Sequence, residues 1–304
     1  MDLPKIDIVI PTYNRAQLLG DSLRTLICQE TAGKFTYEIV VVDNMSTDNT
    51  RDVVEQIGAE SSVAVHYLYC DVPGDAPPRN HAIAKTSGRW LAFFDDDQLT
   101  APDCLWRLFE EAEASGASIV GGAVQLHLPP EVLDRLGPFV RRNSFREIDF
   151  QRGVHRFSGK HLPGGANVLV ARNVFEAVGI FDTTLLLGGS DRDFFHRARL
   201  AGFEIRYTPD AVIRHCISPE RTTLDYLRWD AQQGCGAMAH YDFKFRGRAV
   251  MVASCAARIG HGLLVLLPGL AGASLAEARG PRLDYEVRLW RVVGYARKTL
   301  ALLA

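Results

Sequence analysis

Asp95, Asp96 and Asp97 follow directly on the apolar run Trp90-Leu91-Ala92-Phe93-Phe94. Adjacent carboxylates repel, and each raises its neighbour's pKa unless a cation sits between them. Side chains two positions apart return to one side of an extended chain, so Asp95 and Asp97 can reach one centre while Asp96 points elsewhere. Such hard oxygen donors suit Mg2+ or Mn2+, which keeps waters and takes phosphate oxygens from a substrate. Taken alone, three aspartates equally read as an acidic, solvated turn. Three further polar clusters keep them company: Pro11-Thr12-Tyr13-Asn14-Arg15, Asp43 with Asn44, and Arg79-Asn80.

Each cluster closes or follows an element with a periodic pattern. Residues 6–10 read as a buried strand, and Leu18, Leu19, Leu23 and Leu26 then fall at helical spacing. Residues 37–42 form a second apolar run; Thr47 or Asp48 can cap the helix that carries Val53, Val54 and Ile57. Residues 63–68 alternate as a third strand. The Pro/Gly loop 72–78 leads to a short helix through Ala82, Ile83 and Ala84, and the strand before the aspartates comes next. Strand and helix thus alternate four times in the first 95 residues, the mark of an open parallel α/β sheet. In such sheets ligands bind beyond the carboxyl ends of the strands, where all four clusters fall.

With these clusters in order, the chain resembles the family 2 glycosyltransferases. The resemblance is carried by Pro-Thr-Tyr-Asn-Arg after strand one, Val-Val-Asp-Asn-x-Ser-Thr-Asp after strand two, Arg-Asn-x-Ala before strand four, and Phe-Phe-Asp-x-Asp. Gly164-Gly165-Ala166-Asn167, Phe181-Asp182 and Gly188-Gly189-Ser190-Asp191-Arg192-Asp193-Phe194 extend it, so that it covers residues 5–220. It implies the GT-A fold, an open, mostly parallel, Rossmann-like sheet flanked by helices, followed by a helical C-terminal extension. The implied division is a glycosyltransferase domain, 1–220, with a nucleotide-sugar half (1–100) and an acceptor half (101–220), and a basic helical tail, 221–304.

The same resemblance implies roles. A UDP-sugar would lie across the first strand ends, against Pro11, Thr12, Tyr13, Asn14, Arg15, Asp43, Arg79, Asn80, Asp95 and Asp96. Pro11 and Tyr13 would hug the base, and Asp43 would accept from a base N–H. Arg79 has the fork geometry for a base carbonyl or a phosphate. Asp97, with Asp95, is expected at the Mn2+ or Mg2+ that bridges the diphosphate, and His215 as a third metal or phosphate contact. Inversion at the anomeric carbon needs a carboxylate to deprotonate the acceptor hydroxyl. Asp191 is the candidate, which also reads as a helix cap, and Asp193 is its rival. Gly164, Gly165 and Asn167 would line the acceptor side, or mark only a tight turn or bulge. Ser190 and Gln98 stand where many relatives carry Glu and Asp. Trp90 and Trp106 read as core. Residues 127–162, with Arg141, Arg142, His155 and Arg156, form a poorly periodic stretch that reads either as a lid over the site or as surface loop.

Composition limits the alternatives. With 47% hydrophobic and 23% charged residues in 304, the chain is ordinary globular material, and a formal net charge of -2 gives no general reason to expect nucleic acid. Charge is uneven, however: from Phe243 onward ten Lys and Arg face three acids, about +7, which leaves the remainder at about -9. Six scattered cysteines without a C-x-x-C spacing suit a reducing compartment. The first residues run straight into a strand pattern without a leader signature, so the cytosol, at the cytoplasmic face of a membrane, is the expected location. From 259 to 276 no Asp, Glu, Lys or Arg occurs, a run of eighteen residues at the lower edge of a membrane span. It contains Gly260, Gly262, Pro268, Gly269 and Gly272 and abuts Arg258. A hairpin or re-entrant helix at an anionic leaflet, a full span, and a buried packing helix are all open readings.

The expected activity is metal-dependent, inverting transfer from a UDP-sugar to an acceptor hydroxyl, on a saccharide carried by a polyprenyl diphosphate in exopolysaccharide or envelope-glycan assembly. A nucleotidyltransferase on a related sheet and a non-catalytic, membrane-attached subunit are the alternatives. The first would need a basic group near the α-phosphate in place of a carboxylate; the second gains nothing from carboxylates gathered in a cleft.

Overall fold

Branched apolar residues occupy nearly every central position of the early strands, because a parallel strand covered by helices is buried on both faces. Ile6, Ile8, Val9, Ile10, Ile39, Val41, Val42, Leu91, Ala92 and Phe93 are all fully buried. The computed structural model describes residues 3–150, 156–157, 161–185, 188–276 and 278–304. Its elements run β1 (Lys5–Thr12), α1 (Ala16–Leu26), β2 (Thr36–Asp43), α2 (Thr50–Glu60), β3 (Val65–Tyr69), α3 (Ala76–Lys85), β4 (Trp90–Phe93), β5 (Gln98–Thr100), α4 (Cys104–Ser115) and β6 (Ile119–His127). Then follow α5 (Pro130–Leu133), α6 (Pro138–Ser144), β7 (Val168–Ala171), α7 (Arg172–Val178), α8 (Ser190–Leu200) and β8 (Ile205–Cys216). The helices α9 (Leu224–Arg246), α10 (Arg248–His261), α11 (Leu267–Leu275) and α12 (Arg279–Leu303) close the chain.

Two compact units result. One comprises the described residues of 1–125, 148–186 and 190–216; the other comprises those of 126–147, 187–189 and 217–304. The first unit holds a sheet of order β3-β2-β1-β4-β7-β6-β8-β5. β1 pairs in parallel with β2 and β4, and β2 with β3. Beyond β4 the pairings turn antiparallel, β4 with β7, β7 with β6 and β5 with β8. The alternation of the first ninety-odd residues therefore gives the expected parallel half, and the second half makes the sheet mixed.

Local chemistry explains one departure from the sequence pattern and one agreement with it. The Pro/Gly loop expected over 72–78 ends early: α3 begins at Ala76, with prolines in its first turn. That is where a missing N–H costs nothing and a fixed φ favours the helix. At the head of α2, Asp48 accepts from the backbone N–H and the hydroxyl of Thr50, so a carboxylate just outside the helix meets its first free donor. Trp90 is buried and Trp106 packs against the same core. Within 127–162, α5 and α6 group with the second unit, while residues 151–155 and 158–160, His155 among them, lie outside the described residues.

Apart from the last two residues of β6, the described elements of the second unit are helical. Leu136, Val140, Phe145, Leu227, Ala231 and Val287 form its main core. α9 and α12 come close at Gly294, where an added Cβ would lie 2.2 Å from the Gln232 carbonyl oxygen. Nearby, the buried Tyr295 hydroxyl donates to Asp242 at 2.7 Å. The segment from Arg248 to Leu275 forms 28 residues of continuous helix, long and apolar enough to cross a membrane, yet only 17% of its most apolar window is buried. A buried packing helix is thus not what this run forms.

One glycine is decisive for the second half of the sheet. A Cβ on Gly122 of β6 would come within 2.4 Å of both the Ala211 carbonyl oxygen and the Asn167 side-chain nitrogen. Overpacking of this kind costs about 1–3 kcal/mol. Gly122→Ala should therefore lower the melting temperature by several degrees in thermal denaturation; an unchanged melting temperature would show that β6 and β8 can part without loss.

Candidate active site

β1 and β2 end in register, with Thr12 opposite Asp43, and β4 delivers the aspartates beside them. Nothing but loop follows these strand ends, so polar side chains collect where the sheet stops. Asp43 is 2% exposed. One oxygen accepts from the Ser46 N–H and the other from the Tyr67 hydroxyl at 2.7 Å. Burial and this bond to Asp43 push Tyr67 up to about 12, so it remains a donor. Asn14, at φ 50, locks the two loops together: its side-chain Oδ1 accepts from the Thr47 N–H and its backbone N–H donates to the Ser46 hydroxyl. Tyr13 projects from that loop, 57% exposed, next to half-buried Pro11.

The three aspartates separate into three environments. Asp96 is turned into the protein, where the Thr12 hydroxyl donates to it at 2.8 Å and Arg15 at 2.9 Å. Burial pushes its pKa up to about 6; Arg15 pulls downward and Asp97 adds upward repulsion. Asp95 takes Arg79 Nη2 at 3.2 Å, while its backbone N–H donates to Gln98. Burial raises the Asp95 carboxyl above the usual carboxylate range, Arg79 opposes this, and the charge on Asp97 raises it further. Asp97 shares Arg15 at 3.1 Å and faces His215 Nε2 at 3.3 Å, both side chains being almost wholly buried. The pairing of β5 with β8, which sets Gln98 opposite His215, creates that meeting.

Arg79 connects this group to the other side of the cleft. It is 9% exposed; Nη1 donates to the Asp75 carbonyl oxygen at 2.8 Å, and Nε is buried without a hydrogen-bond partner. The guanidinium lies 3.3 Å from where a Gly165 Cβ would be, and the Gly165 N–H donates to Asp191 Oδ2 at 3.1 Å. The other oxygen of Asp191 accepts from the Arg192 N–H at the start of α8. Ser190, the residue before it, donates to Asp75 at 3.0 Å and so fixes the head of α8 to the head of α3. Asp95, Arg79, Gly165 and Asp191 thus form one chain of contacts. Gly164 has open space where a side chain would be.

Three residues expected to touch ligands are consumed by the fold. Asn80 gives and takes hydrogen bonds with the backbone of Phe181, at 2.9 and 3.0 Å, and fastens α3 to that segment. Asn167, 1% exposed, donates to the Ala123 and Ala211 carbonyl oxygens and joins β6 to β8. Asp193, also 1% exposed, is held by Arg197 Nε at 2.8 Å, and Arg197 in turn reaches the carbonyl oxygens of Val178 and Ile180. A carboxylate so placed pins α8 to the end of α7 and is a poor base for an external hydroxyl. Tyr67 and Asp75, by contrast, orient site residues without having stood out for it, and Thr12, expected at the donor, gives its hydroxyl to Asp96. Tyr67 lies in an alternating strand like any half-buried tyrosine, and only the register of β2 with β3 brings it to Asp43.

Among the described residues no three His, Cys, Asp or Glu side chains close into a cage. The donors present still fit a hard divalent cation: two carboxylates whose charges repel, one of them against an imidazole nitrogen. An ion that keeps waters and takes diphosphate oxygens requires no more from the protein.

Residues 7–179 match the profile of glycosyl transferase family 2. The chain belongs to that family. The succinoglycan biosynthesis protein ExoM of Rhizobium meliloti is 30% identical over 226 residues, 73% of this chain and 70% of ExoM. The glycosyltransferase AglE of Haloferax volcanii is 29% identical over 218 residues, 71% of this chain and 68% of its own. Among solved structures, the mannosyltransferase PcManGT from Pyrobaculum calidifontis, in complex with GDP-Man and Mn2+, aligns at a TM-score of 0.65 and 18% identity, covering 98% of this chain and 87% of that one. Residues 1–349 of S. aureus TarS with UDP-GlcNAc align at 0.54 and 16% identity, over 93% and 90% of the two chains. The fold of this family 2 glycosyltransferase is accordingly GT-A, with the mixed sheet described above and additional C-terminal helices.

Arg15 is a cation shared by Asp96, at 2.9 Å, and Asp97, at 3.1 Å. Because its side chain is 41% exposed, solvent screens part of its effect. Arg15→Gln should cost about 1 kcal/mol of stability at neutral pH. Asp96 has a folded pKa near 6, so it is protonated in the folded state below that value and needs the cation less. The loss should therefore shrink as the pH falls below about 6. Urea unfolding at pH 8 and pH 5 measures it, and an equal loss at both would refute the shared-cation account.

Proposed function

We propose that this enzyme transfers a sugar, with inversion at the anomeric carbon, from a UDP-sugar to a hydroxyl of a lipid-linked saccharide. The continuity of Asp95, Arg79, Gly165 and Asp191 carries the proposal, since it joins donor-side and acceptor-side carboxylates within one unit. The names of relatives support it: ExoM acts in succinoglycan biosynthesis, and the TarS structures hold UDP-GlcNAc or UDP. Polysaccharide assembly at the cytoplasmic face of a membrane, with a carrier lipid diphosphate under the acceptor, is the setting that fits them. On this reading residues 1–220 are the transferase domain, split near 100 into donor and acceptor halves, and 221–304 are a basic helical tail.

The nucleotide would lie over the ends of β1 and β2, with the base against Pro11 and Tyr13. Asp43, oriented by Tyr67, would accept from a base N–H through a lone pair left over from its two present bonds. Arg79 offers its unpartnered Nε and a positive charge to a phosphate oxygen. Asp97, His215 and Asp95 would hold Mn2+ or Mg2+, which, when bound, supplies Lewis-acid neutralisation of the leaving diphosphate. Asp191 would take the proton of the attacking hydroxyl, its orientation set by the Gly165 and Arg192 N–H groups. Those two donors weaken it as a base but hold it still, and positioning is the larger part of such catalysis.

Two substitutions separate the roles. Asp97→Asn should abolish the Mn2+ dependence of UDP binding in isothermal titration; wild-type UDP binding that ignores the metal would remove the role given to Asp97. Asp191→Asn should leave UDP affinity near normal and lower turnover by about 10²–10⁴-fold. If Asp193→Asn lost rate while Asp191→Asn kept it, the base would have to be reassigned.

A further inference from the structure

The segment 248–276 contains no acid, and although Met251 and Leu266 are buried, most of its large apolar side chains from Ile259 on stay exposed. Leu264 is 80% and Leu275 87% exposed, and Ile259, Leu263, Val265 and Leu267 join them in one run. One side of this helix is nevertheless occupied. Gly262 faces Leu289 and Val292 of α12, and Gly269 meets Tyr285. α12 at that level carries Arg282, Asp284, Glu286, Arg288 and Arg291. If α10 and α11 crossed a bilayer, these ionised groups would be drawn into hydrocarbon at several kcal/mol each. The arrangement instead suits a helix lying in the plane of an interface, with its apolar side down and its polar side on the protein.

Beside that helix the same unit gathers guanidinium groups with too few anions. Arg288 stands 4.4 Å and Arg291 5.9 Å from the ring centre of Phe139. Arg258, the residue just before the apolar run, lies 4.5 Å over Tyr295 and donates to the sulfur of Met238. The Nε atoms of Arg258 and Arg288 are buried without a hydrogen-bond partner. Asp284 is taken up by the backbone N–H groups of Phe139 and Val140. Burial holds Arg291 below its ordinary value; Cys235 and Asp230 oppose this, while the charges of Arg146 and Arg258 push it lower. Aromatic faces thus stand against these cations, with Asp230, whose Oδ2 is also buried without a hydrogen-bond partner, as an acid acting on Arg291, and guanidinium donors remain over. Unused donors beside an excess of positive charge are the chemistry of a phosphate site.

We infer that the second unit is a docking surface for an anionic phospholipid bilayer, in which Arg258, Arg288 and Arg291 take a head-group phosphate while the ridge from Ile259 to Leu275 enters the acyl boundary. Arg258 links the two parts, being on the ridge helix and within electrostatic reach of Arg291. The inference deepens the membrane-face reading proposed above, but it does not use the nucleotide cleft.

The test is co-sedimentation of the full chain with phosphatidylcholine vesicles and with vesicles containing about one third phosphatidylglycerol. An arginine near an anionic surface contributes roughly fivefold, so Arg288→Gln with Arg291→Gln should lower binding to the anionic vesicles by about 25-fold. The charge-keeping pair Arg288→Lys and Arg291→Lys should retain most of it. Neutralising Arg24 and Arg51, which are exposed in the first unit and no part of the inferred surface, should change it less than twofold. Leu263→Ser with Leu264→Ser should weaken binding to both kinds of vesicle. Circular dichroism melting confirms that each variant is folded. Equal binding of the wild type to neutral and anionic vesicles, a folded Gln pair that binds like the wild type, or an equal loss on neutralising Arg24 and Arg51 would each overturn the inference. Partition reads no sugar transfer, so its failure leaves the donor assignment standing, and the failure of UDP binding leaves the surface standing.

Discussion

Arg79 is the contact on which the candidate site depends. Its guanidinium is nearly enclosed, yet it reaches the carboxylate of Asp95, the backbone at Asp75 and the surface of Gly165 together. The close approach works because Gly165 has no side chain; a methyl group there would stand 3.3 Å from Nη2. The N–H of that glycine then fixes Asp191. A helix from the first half of the chain and a glycine from the second are in this way set on one cation. Were Arg79 shorter or neutral, Asp95 would lose its compensating charge and the Asp191 loop would lose the surface it rests on.

The acidic loop shows how three identical residues acquire different chemistry from their surroundings. Asp96 faces Thr12 and Arg15 and serves to hold the end of β1 against the end of β4. Asp95 is coupled to Arg79, and Asp97 to His215. Their mutual repulsion is an unfavourable term that the folded enzyme retains, and groups left repelling one another in a cleft are commonly those that a ligand will relieve.

Much of this was legible in the sequence because period and punctuation are local properties. Alternating strands and helices up to Asp95, together with polar clusters at successive strand ends, define a parallel sheet with its ligand edge. The antiparallel half is less legible, since β5 and β7 are short and their partners lie far away in the chain. Residue type at a strand end was the weaker guide. Asn80, Asn167 and Asp193 occur in the right motifs, but all three spend their polar atoms on backbone or on Arg197. Nothing local distinguishes an asparagine that meets a ligand from one that meets a carbonyl. Tyr67 and Asp75 were invisible for the converse reason, because each matters only through a partner brought to it by the tertiary fold. Residues 126–147 are another case: their motif position lies inside the transferase pattern, whereas α5 and α6 cluster with the C-terminal helices.

The seam between β5 and β8 has a consequence for assembly. Strand β5 is only three residues long and takes its neighbour from a segment made far later in the chain. Until that late strand is laid down, Asp97 has no imidazole beside it, and the backbone carbonyl of Asp97 lacks the Cys216 N–H that it finally accepts. A growing polypeptide therefore carries its acidic loop half-finished until His215 and Cys216 have been made. On the proposed reading, nucleotide binding needs the completed first unit, and a fragment ending at the acidic loop should not bind the nucleotide.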